Sequence, residues 1–221
     1  MAFELTQIQS RVTTSPQSDS GGVFTYPKIN KLSMLAITDF YLQSLFEGLA
    51  FQINAGTISV PLVGDVVITD TTAEMALDAG AGVTAIPVYA NIAINLGAGT
   101  LHEYAIKSVA TASSAGDAFV PLPLYLDGTS AKPRSRCTAR VDAEGGVTVT
   151  AELATTTRRH WGAGIPIAIA AGEQATFEWN PKMPPIIQNG ACCYVQIAAT
   201  GTGPSYFANL DFIELSPGNI A

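Results

Sequence analysis

The sequence has few charged residues, few cysteines and few histidines. Charged side chains make up 13% of the 221 residues, about half of the usual share in soluble domains. Three cysteines and two histidines provide neither a disulfide framework nor a closely spaced set of zinc ligands. No run of 18 apolar residues occurs, and residues 1–11 lack the pattern of a secretory signal. We therefore expect no disulfides, no metal or other cofactor, no membrane span and no secretory leader.

The three cysteines are Cys137 and the adjacent pair Cys192 and Cys193. Neighbouring residues of a β-strand point to opposite faces of the sheet, so a bond between Cys192 and Cys193 would be strained. We expect reduced thiols, two of them in the core, in a protein assembled in a reducing compartment.

Catalytic motifs are missing as well. The sequence has no Gly-x-Ser-x-Gly motif, and neither His102 nor His160 can be assigned to a turn that holds a nucleophile. The glycine-rich segments lack the Gly-Lys-Ser/Thr ending of a phosphate-binding loop. Glu178 beside Trp179 is the nearest suggestion of carbohydrate chemistry, and it has no second carboxylate assigned to it. We expect that the protein is not an enzyme.

Short alternating segments separated by Gly and Pro dominate the sequence after residue 80. This spacing indicates a sandwich or barrel, and about eight strands match a jelly roll of two packed sheets. An immunoglobulin-like sandwich is the alternative, although the cysteines that flank a tryptophan in antibody domains are absent. The fold class is therefore predicted to be an all-β, jelly-roll-like antiparallel β-sandwich. Strands are predicted at 83–96, 101–110, 118–126, 135–143, 147–154, 165–170, 174–179, 192–199 and 205–215.

Three regions are predicted along the chain. Residues 1–30 form an extended N-terminal arm, because the polar tract 13–22 cannot bury enough apolar surface to offset its conformational entropy. Either the arm's own domain or a neighbouring subunit would hold it. Residues 31–82 contain short strands and one helix, predicted over 38–53 from apolar residues at helical spacing. Residues 83–221 form the sandwich.

The clearest strand pattern lies at 136–153. Apolar and polar residues alternate on both sides of Glu144-Gly145-Gly146, which predicts a β-hairpin with one dry and one wet face. The dry face would place four residues in the core, namely Cys137, Val141, Val149 and Leu153.

The same region concentrates positive charge. Residues 132–161 carry a net charge of +3, whereas the rest of the chain carries −10. Because the guanidinium fork suits carboxylates, we predict a protein-contact surface, with solvated arginines as the alternative. The net charge of −7 argues against nucleic acid as the partner. The predicted contact residues are Arg134, Arg136, Arg140, Arg158, Arg159 and Trp161.

The C-terminal part has a characteristic succession of segments. These are Ile165-Pro166-Ile167, Phe177-Glu178-Trp179-Asn180-Pro181, Pro184-Pro185-Ile186-Ile187 and the strand that contains Tyr206 and Phe212. In this succession, over about 140 residues, the chain resembles the jelly-roll structural proteins of tailed bacteriophages.

The resemblance implies a non-enzymatic virion protein, assembled in the host cytoplasm. It would be a capsid-associated decoration or cement protein or a minor capsid subunit, in contact with its own copies and with a major capsid or other virion protein. Two alternatives share the fold class. A carbohydrate-binding, lectin-like module would line Trp161, Trp179 or Tyr206 along a concave face to bind a glycan, and a tail-associated module would bind a receptor.

Overall fold

The computed structural model describes residues 10–11, 24–25, 40–96, 101–126, 134–142, 146–165 and 175–215. Within these ranges the chain forms one helix, α1 (Phe40–Phe46), and seventeen strands. The strands are β1 (Ser10–Arg11), β2 (Phe24–Thr25), β3 (Ala50–Ala55), β4 (Leu62–Val63), β5 (Thr72–Ala73), β6 (Met75–Asp78), β7 (Thr84–Leu96), β8 (His102–Val109), β9 (Asp117–Phe119), β10 (Leu122–Pro123), β11 (Thr138–Val141), β12 (Val147–Thr148), β13 (Arg158–Ile165), β14 (Ala175–Trp179), β15 (Ile187–Gln188), β16 (Cys192–Ala199) and β17 (Ser205–Leu215).

Two antiparallel sheets make up the body. The first sheet has the order β10-β3-β17-β7-β14, with β4 beside β17 and β15 beside β7. The second sheet has the order β13-β8-β16-β6-β11-β9. One large apolar cluster contains residues of both sheets, so the sheets pack face to face. The predicted all-β antiparallel sandwich with one short helix is confirmed.

Strand β17 shows how the sequence pattern produces the core. Tyr206, Ala208, Leu210 and Phe212 alternate along this strand, and all four side chains are buried between the sheets. Successive side chains of a strand point to opposite faces, so the intervening Asn209 and Asp211 lie on the outer face. The predicted span 205–215 matches this strand.

A small third layer covers the outer face of the second sheet. Strands β5 and β12 pair with each other in a separate ribbon. Ala73 and Val147 of this ribbon pack on Ala76, Cys192 and Tyr194 of the second sheet. Cys193, which follows Cys192 in the strand, belongs instead to the core between the sheets. All three thiols are unbonded and buried, and the predicted opposite orientation of Cys192 and Cys193 is confirmed.

The helix predicted over 38–53 is too long. In the structure α1 ends at Phe46, Gly48 takes a positive φ of 72°, and the chain continues as β3. Phe51 and Ile53 point into the core at the two-residue spacing of a strand. Pairing with β17 on one edge and β10 on the other therefore overrides the helical spacing of the apolar residues.

The predicted hairpin at 136–153 is wrong in its pairing. Strand β11 is paired with β6 on one edge and β9 on the other, which leaves no edge for β12. Cys137 lies in the core between the sheets as predicted, and Val141 packs at its margin. Val149 is buried, but in the cluster beneath the ribbon layer. Leu153 is 55% exposed, so its predicted burial is wrong.

Other boundaries also differ from the prediction. The strand expected over 118–126 is two short strands, β9 and β10, in different sheets. Strand β13 begins at Arg158, where no strand was predicted, and most of the strand predicted at 165–170 lies outside the described residues. The arm at 1–30 also lies largely outside them; its described parts, β1 and β2, pair antiparallel. The division into three regions stays a prediction.

Leu210 and Leu153 provide a matched test of the core. Leu210 is fully buried and Leu153 is mostly exposed. We expect Leu210→Ala to lower the free energy of unfolding by roughly 2–5 kcal/mol, because it leaves a cavity between the sheets. Leu153→Ala should change it by less than about 0.5 kcal/mol. Urea unfolding measures both, and equal effects would contradict the assigned core.

Candidate contact surfaces

An apolar loop without basic residues projects from one end of the sandwich. We define the apolar tip as residues 57–67, which contain no Lys or Arg and a single acidic residue, Asp65. More than half of each of five aliphatic side chains is exposed there, at Ile58, Val60, Val63, Val66 and Val67. Exposed aliphatic side chains grouped in this way are typical of a contact surface.

Backbone contacts determine the shape of the apolar tip. The backbone groups of Thr57 and Val60 exchange hydrogen bonds of 2.9 and 3.2 Å, which close a tight turn. The Gly64 N–H donates to the Pro204 carbonyl over 2.8 Å. Gly203 lies so close to Gly64 that a Cβ atom on it would collide with the Gly64 carbonyl oxygen. The tip is therefore locked against the loop between β16 and β17.

Asp65 is held against the body of the sandwich. Its N–H donates to the Ile197 carbonyl over 3.0 Å, and its carbonyl accepts the Ala199 N–H over 2.9 Å. Its Oδ2 accepts the Thr72 hydroxyl over 2.9 Å. The one acidic side chain of the tip is thus bound to the ribbon layer.

Glu74 supports this arrangement from inside the protein. Its buried Oε2 accepts the Ile197 N–H over 2.7 Å, and its Oε1 lies 3.4 Å from the Asp65 N–H. Burial, and secondly the nearby Asp65 carboxylate, raise the pKa of Glu74 well above its ordinary value. Sequence reasoning missed Glu74, because nothing in its neighbours along the chain indicates that it is buried.

An apolar groove lies at the opposite end of the first sheet. We define it by Tyr41, Leu42 and Leu45 of α1 together with Leu124, Phe212 and Ile213, which enclose a volume of about 430 Å³. On its helix side, α1 also exposes 64% of Phe46. Ser205 of β17 pairs with Val63 in the tip, whereas Ile213 of β17 pairs with Ala50 at the groove. Eight residues of extended strand separate the two surfaces by about 26 Å.

The predicted arginine surface is divided between two places. Arg140 lies on β11 and Arg158 begins β13, and these strands are four positions apart in the second sheet. At the usual spacing of strands this separates them by about 19 Å. They lie far apart although they are close in sequence, because the chain passes from β11 through β12 of the ribbon layer before it forms β13.

Arginines near β11 contact acidic residues of the same chain. The Arg136 Nε donates to Oε1 of the nearly buried Glu214 over 2.9 Å. The Arg140 Nε lies 4.0 Å from Oδ2 of Asp78, and Arg134 is exposed just before β11. The arginines at 136 and 140 therefore have internal ionic partners.

Arginines on β13 lie beside a second ion pair. Glu152 accepts a hydrogen bond from Lys107, which is almost fully buried, and another from Arg159 over 3.3 Å. The hydrogen bond from Lys107 is the main cause that lowers the pKa of Glu152. The Arg158 side chain is exposed and donates to the Thr155 carbonyl over 3.2 Å. The predicted contact role of these arginines stays a prediction.

The aromatic residues of the glycan-binding alternative belong to the core. Trp179 and Tyr206 are buried, and Trp161 is partly buried with its ring 4.3 Å from that of Tyr104. The expectation of an exposed aromatic platform made of these residues is wrong, since two of the rings are buried in the core and that of Trp161 packs against it.

One pair of side chains resembles part of a nucleophilic site. His160 Nε2 lies 2.8 Å from the hydroxyl oxygen of Ser108. Burial lowers the pKa of His160, so the ring is neutral near pH 7. Ser108 is nearly buried within β8, and no carboxylate hydrogen bonds to His160 in the ranges that the structure describes. This hydrogen bond joins β13 to β8 at the point where the register of their pairing shifts. It therefore connects the two strands where their regular pairing is interrupted.

Comparison with protein families, curated proteins and solved structures finds no match to this chain. Within the described ranges, no helix has the length and apolar character that a membrane crossing requires. The same ranges contain no group of three or more His, Cys, Asp or Glu side chains that could hold a metal ion.

Substitution of Glu74 should change how stability depends on pH. A carboxyl group whose pKa is raised by folding contributes stability below its unfolded pKa, near 4.3, and loses it as pH rises through the folded value. We expect the wild type to lose stability relative to Glu74→Gln as pH increases above about 4.3. Urea unfolding across this range measures the difference, and parallel curves would contradict the assignment.

Glu152→Gln is the control with the opposite sign. Because folding lowers the pKa of Glu152, its contribution is present above the unfolded pKa and is lost as pH falls through the folded value. The variant should therefore be less stable than the wild type near pH 7, and the difference should shrink in acid.

Gly203→Ala should release the apolar tip. Its new Cβ would collide with the Gly64 carbonyl, so we expect a loss of about 1–3 kcal/mol and faster amide hydrogen exchange across residues 57–67. Thr202→Ala changes the exposed neighbouring residue and is the control. Unchanged exchange in Gly203→Ala would show that this contact does not hold the tip.

Proposed function

We propose that the chain is a structural subunit of a virion that acts through protein–protein contacts. In this proposal it is a capsid-associated decoration or cement protein or a minor capsid subunit. The observation that carries the proposal is the pair of apolar surfaces, tip and groove, exposed at opposite ends of a charge-poor sandwich. Surfaces of this kind are poorly suited to a protein that stays alone in solution.

The order of the strands supports a jelly-roll assignment. Eight strands, four in each sheet, pair first with last, second with seventh, third with sixth and fourth with fifth. Folding one long antiparallel ribbon over itself produces this nested pairing, which is the arrangement of a jelly roll. In chain order the eight strands are β3, β6, β7, β8, β13, β14, β16 and β17.

The proposed partners are other copies of the chain and a major capsid or other virion protein. A durable interface should bury more than about 1,000 Å² in total, with an apolar centre and a polar rim. The aliphatic side chains of the tip and groove suit such a centre. The exposed arginines at 134 and 158 would suit its rim.

Purified particles from the cells that produce the chain test the proposal. We expect the chain at a reproducible copy number per particle by quantitative mass spectrometry, and on the shell by antibody labelling in electron microscopy. Labelling at the tail would support the tail-associated alternative. Absence from the particles, with glycan binding by the isolated chain, would overturn the virion role.

Salt dependence tests the arginines separately. If Arg134 and Arg158 contact an acidic partner, the double variant Arg134→Ser, Arg158→Ser should bind particles more weakly at low salt, with the difference lost at high salt.

Deletion of residues 1–22 tests the arm in the same binding assay. Undiminished binding at low salt would remove the substituted or deleted residues from the interface.

A further inference from the structure

We infer that Asn189 is a site of self-modification, in which its side chain reacts with the backbone nitrogen of Gly190, and that the fold keeps it unreactive until one turn opens. Asn189-Gly190 is the one Asn-Gly pair in the sequence. Asparagine is among the chemically labile residues of proteins, and its reaction is least hindered before glycine, which has no side chain to obstruct the approach. The inference does not depend on the proposed virion role.

The reaction needs no cofactor and no reagent other than water. The Gly190 backbone nitrogen attacks the Asn189 Cγ and gives up its proton to the side-chain nitrogen, whose bond to Cγ breaks so that ammonia leaves. Water then opens the cyclic succinimide at either of its two carbonyl groups. One product is aspartate, and the other is isoaspartate, in which the main chain passes through the former side chain.

Asn189 and Gly190 form a corner where the chain passes from one sheet to the other. Strand β15, before them, pairs with β7 of the first sheet, whereas β16, after them, belongs to the second sheet. The Ala191 N–H donates to the Gln188 carbonyl over 3.0 Å, and Asn189 and Gly190 have φ values of 52° and 85°. Positive φ at both central residues is the mark of a type I′ turn, for which Asn-Gly is a preferred sequence.

Hydrogen bonds hold the Gly190 nitrogen away from the reaction. Its N–H donates to the Ala79 carbonyl over 2.7 Å, and the Ala79 N–H donates to the Ala191 carbonyl over 3.0 Å. The Gln188 side chain adds a further attachment, since its Nε2 donates to the Thr84 hydroxyl over 2.8 Å. Because the nitrogen must lose its proton and approach Cγ, its hydrogen bond to Ala79 has to break first. The reaction should therefore occur only when the turn opens.

Access does not limit the reaction. The Asn189 side chain is exposed to water. Among the described residues, and apart from the chain neighbours of Gly190, no atom lies within 4 Å of the position that a Cβ on Gly190 would take. Water can therefore reach the succinimide, and it is the hydrogen bonding of the turn that separates the folded chain from the reactive one.

The isoaspartate product would change the corner itself. It adds one carbon atom to the main chain at position 189, whereas the turn and its paired hydrogen bonds to Ala79 depend on ordinary backbone spacing. We expect the modified chain to lose protection from hydrogen exchange at the amides of Ala79 and Gly190.

Peptide mapping of the full chain by mass spectrometry tests the inference, with folded and urea-unfolded samples kept in mildly alkaline buffer. Aspartate and isoaspartate should accumulate at position 189 in the unfolded chain. In the folded chain they should accumulate more slowly, by on the order of tenfold or more, because only molecules with an open turn react. Asn180 is also exposed but precedes Pro181, whose nitrogen carries no hydrogen, so it should stay unmodified in both samples. Equal rates at position 189, or no reaction there in the unfolded chain, would overturn the inference.

Hydrogen exchange of the Gly190 amide, followed by NMR, tests the cause of the protection. Gln188→Ala removes the bond to Thr84 and should raise the exchange rate at Gly190 and the modification rate at position 189 by the same factor, since both need the same opening. Asn189→Gly still allows a positive φ but has no side-chain amide, so its Ala79 amide should keep its protection through an incubation in which the wild type loses it. Modification of the folded wild type while Gly190 stays protected from exchange would contradict the assigned role of the hydrogen bond to Ala79 and overturn the inference.

Discussion

The buried carboxyl group of Glu74 makes the contact on which the end of the sandwich that carries the apolar tip depends. Strand β16 pairs with β8 over its whole length, but it pairs with β6 only as far as Val195. Beyond that residue the chain at Glu74 leaves the second sheet to form the ribbon layer, and the Glu74 side chain accepts the Ile197 N–H that a neighbouring strand would have bound. The backbone of Asp65 satisfies the next groups of β16. A buried backbone donor without a partner costs about as much as a lost hydrogen bond, so this one side chain lets the chain change layers without leaving β16 unpaired.

The same change of layer explains where the surfaces lie. Between the sheets the core uses the inward residues of each strand, and the ribbon layer covers part of the outer face of the second sheet. Some of the apolar side chains that neither layer covers lie on the loop that Glu74 and Asp65 hold and on α1. Because the chain has so few charged residues, fewer Lys and Glu side chains lie among these exposed apolar groups than on an ordinary protein surface.

The arginine region shows how sequence neighbours can be separated by topology. Alternation around Glu144-Gly145-Gly146 is compatible with a hairpin, but a turn does not require the strands on either side of it to pair. Strand β11 pairs with β6 and β9. Arg140 on this strand lies beside Asp78, and Arg136 just before it pairs with Glu214. Arginines that are close in sequence therefore need not lie on one surface. The order of the strands in the sheet decides whether they do.

Local periodicity by itself determined the class of fold, the strands at 192–199 and 205–215, the buried set Tyr206, Ala208, Leu210 and Phe212, and the opposite faces of Cys192 and Cys193. These features depend on the two-residue repeat of a strand, which every residue carries in its own neighbourhood. The tertiary structure alone decided that residues 50–55 form a strand after a short helix, that β11 and β12 do not pair, and that Glu74 is buried. It also decided that the tip and the groove lie at opposite ends of β17. Each of these depends on a partner far away in the sequence, because a β-strand forms its hydrogen bonds with neighbouring strands. A segment with a helical or turn pattern becomes a strand when pairing at a sheet edge gives more hydrogen bonds and more buried surface.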